Sequence, residues 1–312
     1  MSFARLQTRT RSSSAFTLVE LMIVIAIVGI LASLVTVGVM KALEKGKMVS
    51  ARLEISQLEA AVAAAKNDLN NVETLPSRIR IAYNVASFTS STALAGETIA
   101  DVNLRLATWG FFQRAFGKVI SGTGAPAIFN WRGAGNVPNL GTPAITLEGM
   151  DALVFWLGGI PINGSTGVKF TGFAASRTDP TLPEGTVTKR KGPYYEFEPA
   201  RVSGTTSNGK LGFNNSYGGP YVYYARDDYK YFDGVAPALL PFPVYPYRDP
   251  TSATASSFLN SKTFQLISSG QNQVFGPGGV NWTPGSGKYA IDADGYDDMA
   301  NFSSTILGKK DE

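Results

Sequence analysis

Residues 15–39 decide the reading: Ala15-Phe16-Thr17-Leu18-Val19-Glu20 opens a run that continues LMIVIAIVGILASLVTVGV to Val39. Phe16 to Val39 is 24 residues with one formal charge, Glu20. At ~1.5 Å rise per residue, such a run crosses a ~30 Å hydrocarbon layer as a helix. A carboxylate inside it costs about 3 kcal/mol in lipid and is a functional hypothesis by default. The bland reading is a glutamate close to the headgroups and almost wet. Ahead of the run, Met1 to Ala15 holds Arg5, Arg9 and Arg11, no acidic residue, and Ser12-Ser13-Ser14. Cations on that side keep the end in the cytoplasm. A secretory signal carries a shorter apolar core of ~7–15 residues and a small-residue cleavage site. Neither feature is present, so the run reads as a retained membrane helix.

The helical pattern continues past the apolar run. No proline occurs between Phe16 and Leu75. Met48, Ala51, Ile55, Leu58, Val62, Ala65, Leu69 and Val72 repeat at helical spacing, with Lys47, Arg52, Glu54, Glu59, Lys66 and Asp68 off the stripe. That spacing marks one buried face of an amphipathic helix. A single helix from Phe16 to about Asn71 is roughly 84 Å long. About three heptads are too few to favour a coiled coil over packing against a sheet.

Composition narrows the chemistry. Cysteine and histidine are absent from the 312 residues. Disulfides, thiol catalysis, Cys/His zinc sites and a Ser-His-Asp triad are thereby excluded. The first 15 residues hold three of the 28 cations, leaving 25 Lys and Arg against 24 Asp and Glu. The basic balance belongs largely to the leader, and no nucleic-acid partner is expected.

Beyond the helix, the pattern predicts a strand over 79–85 and a helix over 101–116 capped by Asp101. A second helix is predicted over 147–157, capped by Thr146 and stopped by Gly158-Gly159. Strands are predicted over 194–197, 221–225 and 263–268, forming an antiparallel sheet across the amphipathic half of the long helix. Tyr223-Tyr224, Tyr229 and Tyr231-Phe232 form either a ligand or carbohydrate surface or a partly buried sheet edge. Lys189-Arg190-Lys191 reads as a solvated loop or a polyanion site. At the other end of the chain, Asp292, Asp294, Asp297 and Asp298 crowd into seven residues. They repel one another unless a cation intervenes. Calcium tolerates irregular oxygen-lined loops, but the EF-hand pattern fails because Gly295 is misplaced and no Glu closes it. A solvated acidic turn is the alternative.

The sequence F-T-L-V-E-L-M-I-V-I-A-I-V-G-I-L-A closely resembles the class III signal of type IV pilins and of type II secretion pseudopilins. The resemblance implies cleavage by a prepilin peptidase between Ala15 and Phe16, then methylation of Phe16. Ala15 departs from the family's usual Gly. It implies that Glu20 neutralises the amino terminus of a neighbouring copy within an apolar filament core, consistent with the need to pair a buried charge. The segment from Phe264 to Phe302 resembles the end of the major pseudopilin. There Asp297 and Asp298 match paired aspartates of a calcium loop, Asn301 and Phe302 match its Asn and Trp, and Asp292 and Asp294 are local additions.

The fold implied is α+β and pilin-like. A long N-terminal helix, membrane-spanning in one half and amphipathic in the other, packs on a C-terminal antiparallel β-sheet. The expected divisions are 1–15 leader, 16–40 membrane or filament-core helix, 41–75 amphipathic helix, 76–192 enlarged insertion, and 193–312 sheet and acidic loop. The function implied is a non-enzymatic filament subunit of the bacterial inner membrane with its N-terminus cytoplasmic, exposed to the periplasm or outside once assembled. Expected partners are the prepilin peptidase, copies of itself and other pilin-like subunits, and an inner-membrane assembly platform. Type II secretion is the leading role. A surface pilin, a tip ligand-binding subunit and an anchored enzyme stand behind it.

Overall fold

The computed structural model describes residues 17–117, 129–131, 144–176, 179–205, 209–234, 244–251, 257–279, 282–283, 289, 291 and 293–308. The chain divides into two compact units, Met1–Lys47 and Met48–Glu312. Helix α1, Leu18–Asp68, contributes to both. Its C-terminus closes through two asparagines in the left-handed region, Asn70 (φ 60°) and Asn71 (φ 53°). The Val72 N–H returns to the Lys66 carbonyl at 3.1 Å, satisfying a helix-end acceptor.

In the Met48–Glu312 unit the expected stripe is the buried one. Ala51, Ile55, Leu58, Val62, Ala65 and Leu69 enter one hydrophobic core, with Met48 packed at its edge. Glu54 departs from the expectation: it lies off the stripe in sequence yet is 7% exposed. It is held there by three donors. Arg201 Nη2 lies 2.6 Å away, Tyr221 Oη 2.5 Å and Tyr195 Oη 3.2 Å. The same guanidinium stacks over the Phe213 ring at 4.5 Å. A buried carboxylate is stable only when its lone pairs are filled in this way.

After α1 come β1 (Arg78–Ala82), α2 (Val85–Thr89), α3 (Ile99–Ala115), β2 (Ala144–Glu148) and α4 (Met150–Gly158). Strand β1 pairs antiparallel with β2, Arg78 opposite Glu148 and Ala82 opposite Ala144. This pairing corrects the expected start of the second helix. Thr146 is no cap: its hydroxyl accepts from Arg80 Nη1 at 2.6 Å, Leu147 is strand, and the helix opens after Gly149 (φ 58°). Helix α3 is capped by Thr98, not by Asp101. Asp101 instead completes a capping box as the third helical residue.

Arg105 on α3 is fully buried and folds the preceding loop around itself. Its donors reach both oxygens of Glu97 and the carbonyls of Ser87, Phe88, Ser90 and Thr92. Beside it the rings of Phe88, Trp109, Phe112, Phe129, Trp131 and Phe155 interlock, with neighbouring centroids between 5.1 and 6.3 Å. Trp156 and Trp131 each donate to a carbonyl, of Pro76 and Ala82 respectively. These rings share their core with the stripe of α1.

Short antiparallel pairs follow: β3 (Pro161–Gly164) with β4 (Gly167–Phe170), β5 (Phe173–Ala174) with β6 (Arg190–Lys191), and β7 (Val202–Thr205) with β8 (Lys210–Phe213). Residues 194–197 are not a strand. Their side chains anchor them to α1 instead, Tyr194 Oη on Asp68 at 2.7 Å and Tyr195 Oη on Glu54. Then come β9 (Tyr221–Ala225), the short helix α5 (Tyr229–Gly234), β10 (Phe264–Ser268) and β11 (Met299–Ala300). They form the expected antiparallel sheet in the order β11-β10-β9. One face, with Tyr221, Tyr223, Leu266 and Met299, joins the core of α1. The other, with Val222, Tyr224 and Ile267, is covered by a second core containing Phe232, Tyr247 and Trp282. The layout is α+β and fits the pilin-like arrangement.

Two stability predictions follow from buried charge. Glu54→Ala strands Arg201 and two phenols, at a cost of roughly 2–4 kcal/mol. Thermal unfolding of the detergent-solubilised chain should drop by about 5–15 °C; a shift below 2 °C would show that the cluster is dispensable. Asp151, in the first turn of α4, is pushed up to about 6, chiefly by burial, with Lys210 lowering and Glu148 raising it. The folded chain then holds more proton than the unfolded one between the ordinary aspartate value and about pH 6, so this group's contribution falls as pH rises through that window. Asp151→Asn should stabilise the chain by roughly 1–3 kcal/mol at pH 7 and by almost nothing at pH 4. Denaturant melts at the two pH values would read the difference.

Candidate functional site

The first candidate site is the entry to α1. Ala15 and Phe16, the expected processing residues, lie outside the described residues. Thr17 and Glu20 do not, and they form a reciprocal cap. The Glu20 N–H donates to Thr17 Oγ1 at 3.2 Å, while the Thr17 N–H and hydroxyl donate to Glu20 Oε2 at 2.9 and 3.0 Å. Thr-x-x-Glu is a capping-box spacing, a signal that was present in the sequence beside the more conspicuous apolar run. The remaining hydroxyls of the apolar stretch are satisfied by their own helix. Ser33 Oγ donates to Ile30 O at 2.7 Å and Thr36 Oγ1 to Ala32 O at 2.8 Å.

That arrangement is what a non-aqueous surrounding demands of a helix. The apolar side chains from Leu18 to Val35 are exposed on the chain itself, Leu18 at 74% and Leu34 at 67%. The helix is long and apolar enough to cross a membrane, by length and composition. Among the described residues only Oε2 of Glu20 is engaged. Oε1 accepts nothing.

The second candidate site is the C-terminal acidic loop. Asp292 lies outside the described residues, whereas Asp294, Asp297 and Asp298 are placed. Asp297 Oδ2 accepts from the Gln271 and Asn272 N–H groups, the latter at 2.8 Å. Asp298 is fully buried, and its Oδ2 accepts from the Gly276 N–H at 2.9 Å. The adjacent carboxylates therefore tie the turn after β10 to the end of the chain. Gly270 (φ 64°) makes this possible, since a Cβ there would lie 2.4 Å from the Asp297 carbonyl oxygen.

One oxygen of each carboxylate, Asp297 Oδ1 and Asp298 Oδ1, is buried without a hydrogen-bond partner. Burial raises the Asp298 carboxyl well above the usual range, the Gly276 N–H works against it, and Asp297 and Asp294 add to it. Among the described residues, no three acidic groups converge closely enough to hold a metal by themselves. The donors on offer are two unfilled carboxylate oxygens, with any further ligands to come from carbonyls or water. That set fits a hard cation and no softer metal.

Asn301 connects this region to the helix. Its Oδ1 accepts from the Leu266 N–H at 2.9 Å, and its Nδ2 donates to Glu59 Oε1 at 3.1 Å and to the Phe264 carbonyl. Phe302 packs against Trp282 at 5.4 Å. The two other sequence candidates are structural. Tyr223, Tyr224, Tyr229 and Phe232 are buried core residues, and of that group only Tyr231 is substantially exposed. Arg190 is bound to the carbonyls of Thr171, Leu182 and Gly172, and Lys191 to Asp68.

Compared with known families, residues 10–36 match the model of the prokaryotic N-terminal methylation motif. Comparison with curated proteins and with solved structures found no match. The matched segment includes the Ala15–Phe16 junction, the Thr17–Glu20 cap and most of the apolar run. The chain thus carries a type IV pilin-like prepilin signal, which implies processing by prepilin peptidase and assembly into a pilin-like filament from a single-pass inner-membrane anchor.

Proposed function

We propose that the chain is a structural subunit of a type II secretion pseudopilus, with no catalytic role of its own. The observation that carries the filament reading is the prepilin signal on a helix whose later turns are buried under a β-sheet. The pseudopilin assignment rests on the C-terminal segment, where the residues resembling the major pseudopilin's close bind β10, the acidic loop and Glu59 together.

In this reading the three leader arginines hold the N-terminus in the cytoplasm. Cleavage after Ala15 frees Phe16, and an assembly platform lifts the subunit out of the membrane. The open oxygen of Glu20 then receives the charged terminus of the next copy. Calcium, bound through Asp297 and Asp298 with Asp292 and Asp294 close by in sequence, neutralises the acidic loop and stiffens it as a contact between copies.

Mass spectrometry of the membrane fraction tests the processing step. A chain beginning at N-methylated Phe16 is expected, reverting to the intact leader in cells without the peptidase; a terminus elsewhere rejects the scheme. Deletion of the gene should abolish protein export and leave surface pili intact, and the reverse pattern would make the chain a surface pilin. Calcium removal by a chelator should lower the unfolding temperature by about 5 °C or more, the scale of a ligand held well above its dissociation constant. Asp297→Asn with Asp298→Asn should eliminate that response. A chelator-insensitive wild-type melt would leave the loop a metal-free turn.

A further inference from the structure

A cavity of about 100 Å³ lies outside both candidate sites, where the start of α4 meets β8 and β9. Its walls include Phe213, Tyr221, Tyr224 and Phe232, and its acidic lining is Asp151 and Glu148. The two carboxylates differ in their surroundings. Glu148 Oε1 accepts from Arg78 Nε at 2.8 Å and from Tyr231 Oη at 3.3 Å, so its charge is already matched. Asp151 accepts no hydrogen bond and makes no ion pair at contact distance among the described residues. The charges acting on it are Lys210, on β8, and Glu148. The Asp151 carboxylate is half-buried at the wall of the cavity, beside aromatic residues.

The lining selects the ligand by elimination. Anions are repelled by the two carboxylates, and neutral apolar molecules leave Asp151 with no cation beyond Lys210. Hard metal ions need six or more oxygen ligands, and the walls here are predominantly carbon. An organic ammonium matches both components, since its positive charge answers the carboxylate and its C–H surface suits aromatic rings. We propose that this cavity binds the head of a small organic ammonium, with Asp151 as counter-ion and the aromatic residues of the lining as its apolar wall. Two sources share that chemistry, the tip of a lysine side chain from another polypeptide and a choline-type headgroup. The site is independent of the filament reading, because neither α1 nor the acidic loop lines it.

Calorimetric titration of the detergent-solubilised full chain with n-butylammonium and with tetramethylammonium, each against sodium chloride at equal ionic strength, tests the proposal. Saturable binding of at least one is expected, at least tenfold weaker in Asp151→Asn. A response to n-butylammonium alone identifies the lysine-like source, and one to tetramethylammonium alone the choline-like source. Phe232→Leu, which keeps the carboxylate and much of the apolar volume, should weaken the bound ammonium at least threefold and serves as the second variant should Asp151→Asn fail to fold. Absence of saturable binding by either probe overturns the proposal, as does binding that survives within twofold in the folded variants.

Discussion

The carboxylate of Glu54 is the fixed point of the Met48–Glu312 unit. It sits on α1, one residue before the buried Ile55, and accepts from three side chains far from it in sequence: Tyr195, Arg201 and Tyr221. Hydrophobic packing alone would hold the helix against the sheet but would define its axial position loosely, because a stripe of Ala, Ile, Leu and Val offers several near-equivalent registers. A buried acid that requires three particular donors removes that freedom. Moving the helix by one turn strands a carboxylate, a guanidinium and two phenols together. Tyr194 on Asp68 and Asn301 on Glu59 reinforce the same register further along the helix.

The sheet itself has to be buried on both faces, and the composition of β9 shows it. Tyr221, Val222, Tyr223, Tyr224 and Ala225 are all buried, without the alternation of a strand having one wet face. The residues that cover the outer face come from 229–258 and from 275–307. A chain without disulfides gains this second core as compensation, since each large side chain so buried contributes about 2–3 kcal/mol. The acidic loop closes that layer. Asp297 and Asp298 act first as acceptors for the turn at 271–276, and a cation at their remaining oxygens would strengthen a connection that already exists.

Much of this was legible in the sequence wherever a period ran long enough to be unambiguous. The α1 stripe was readable because eight apolar positions repeat without a proline, and β9 and β10 because aromatic and β-branched residues cluster between turns. The failures have physical causes. Leu147 and Glu148 read as the start of a helix because Leu147, Met150, Val154 and Leu157 share helical spacing, while the competing ladder with β1 is a tertiary partner some 65 residues away. Residues 194–197 have strand composition but spend their hydroxyls on α1. Glu54 was assigned to solvent because nothing local reveals that Arg201 and Tyr221 converge on it. The Thr17–Glu20 cap was visible as a motif, yet the anomaly of a charge in an apolar run drew attention to one member only.

The two glutamates of α1 then become informative by contrast. Glu54 is saturated within its own chain, with both oxygens receiving hydrogen bonds from partners that folding supplies. Glu20 has one oxygen occupied by the residue that starts its helix and one that accepts nothing among the described residues. In water such an oxygen is solvated and costs nothing. Within an apolar layer it has to be matched, and the hydroxyls of Ser33 and Thr36 are already committed to their own carbonyls. A donor therefore has to come from outside this chain's helix. Under the proposed processing scheme, cleavage before Phe16 would generate one, a cationic amino terminus four residues from the carboxylate. Self-pairing competes with the Thr17 N–H and hydroxyl that already occupy the near oxygen. In the filament reading proposed above, the oxygen left open by the cap is the one that would take the terminus of another copy.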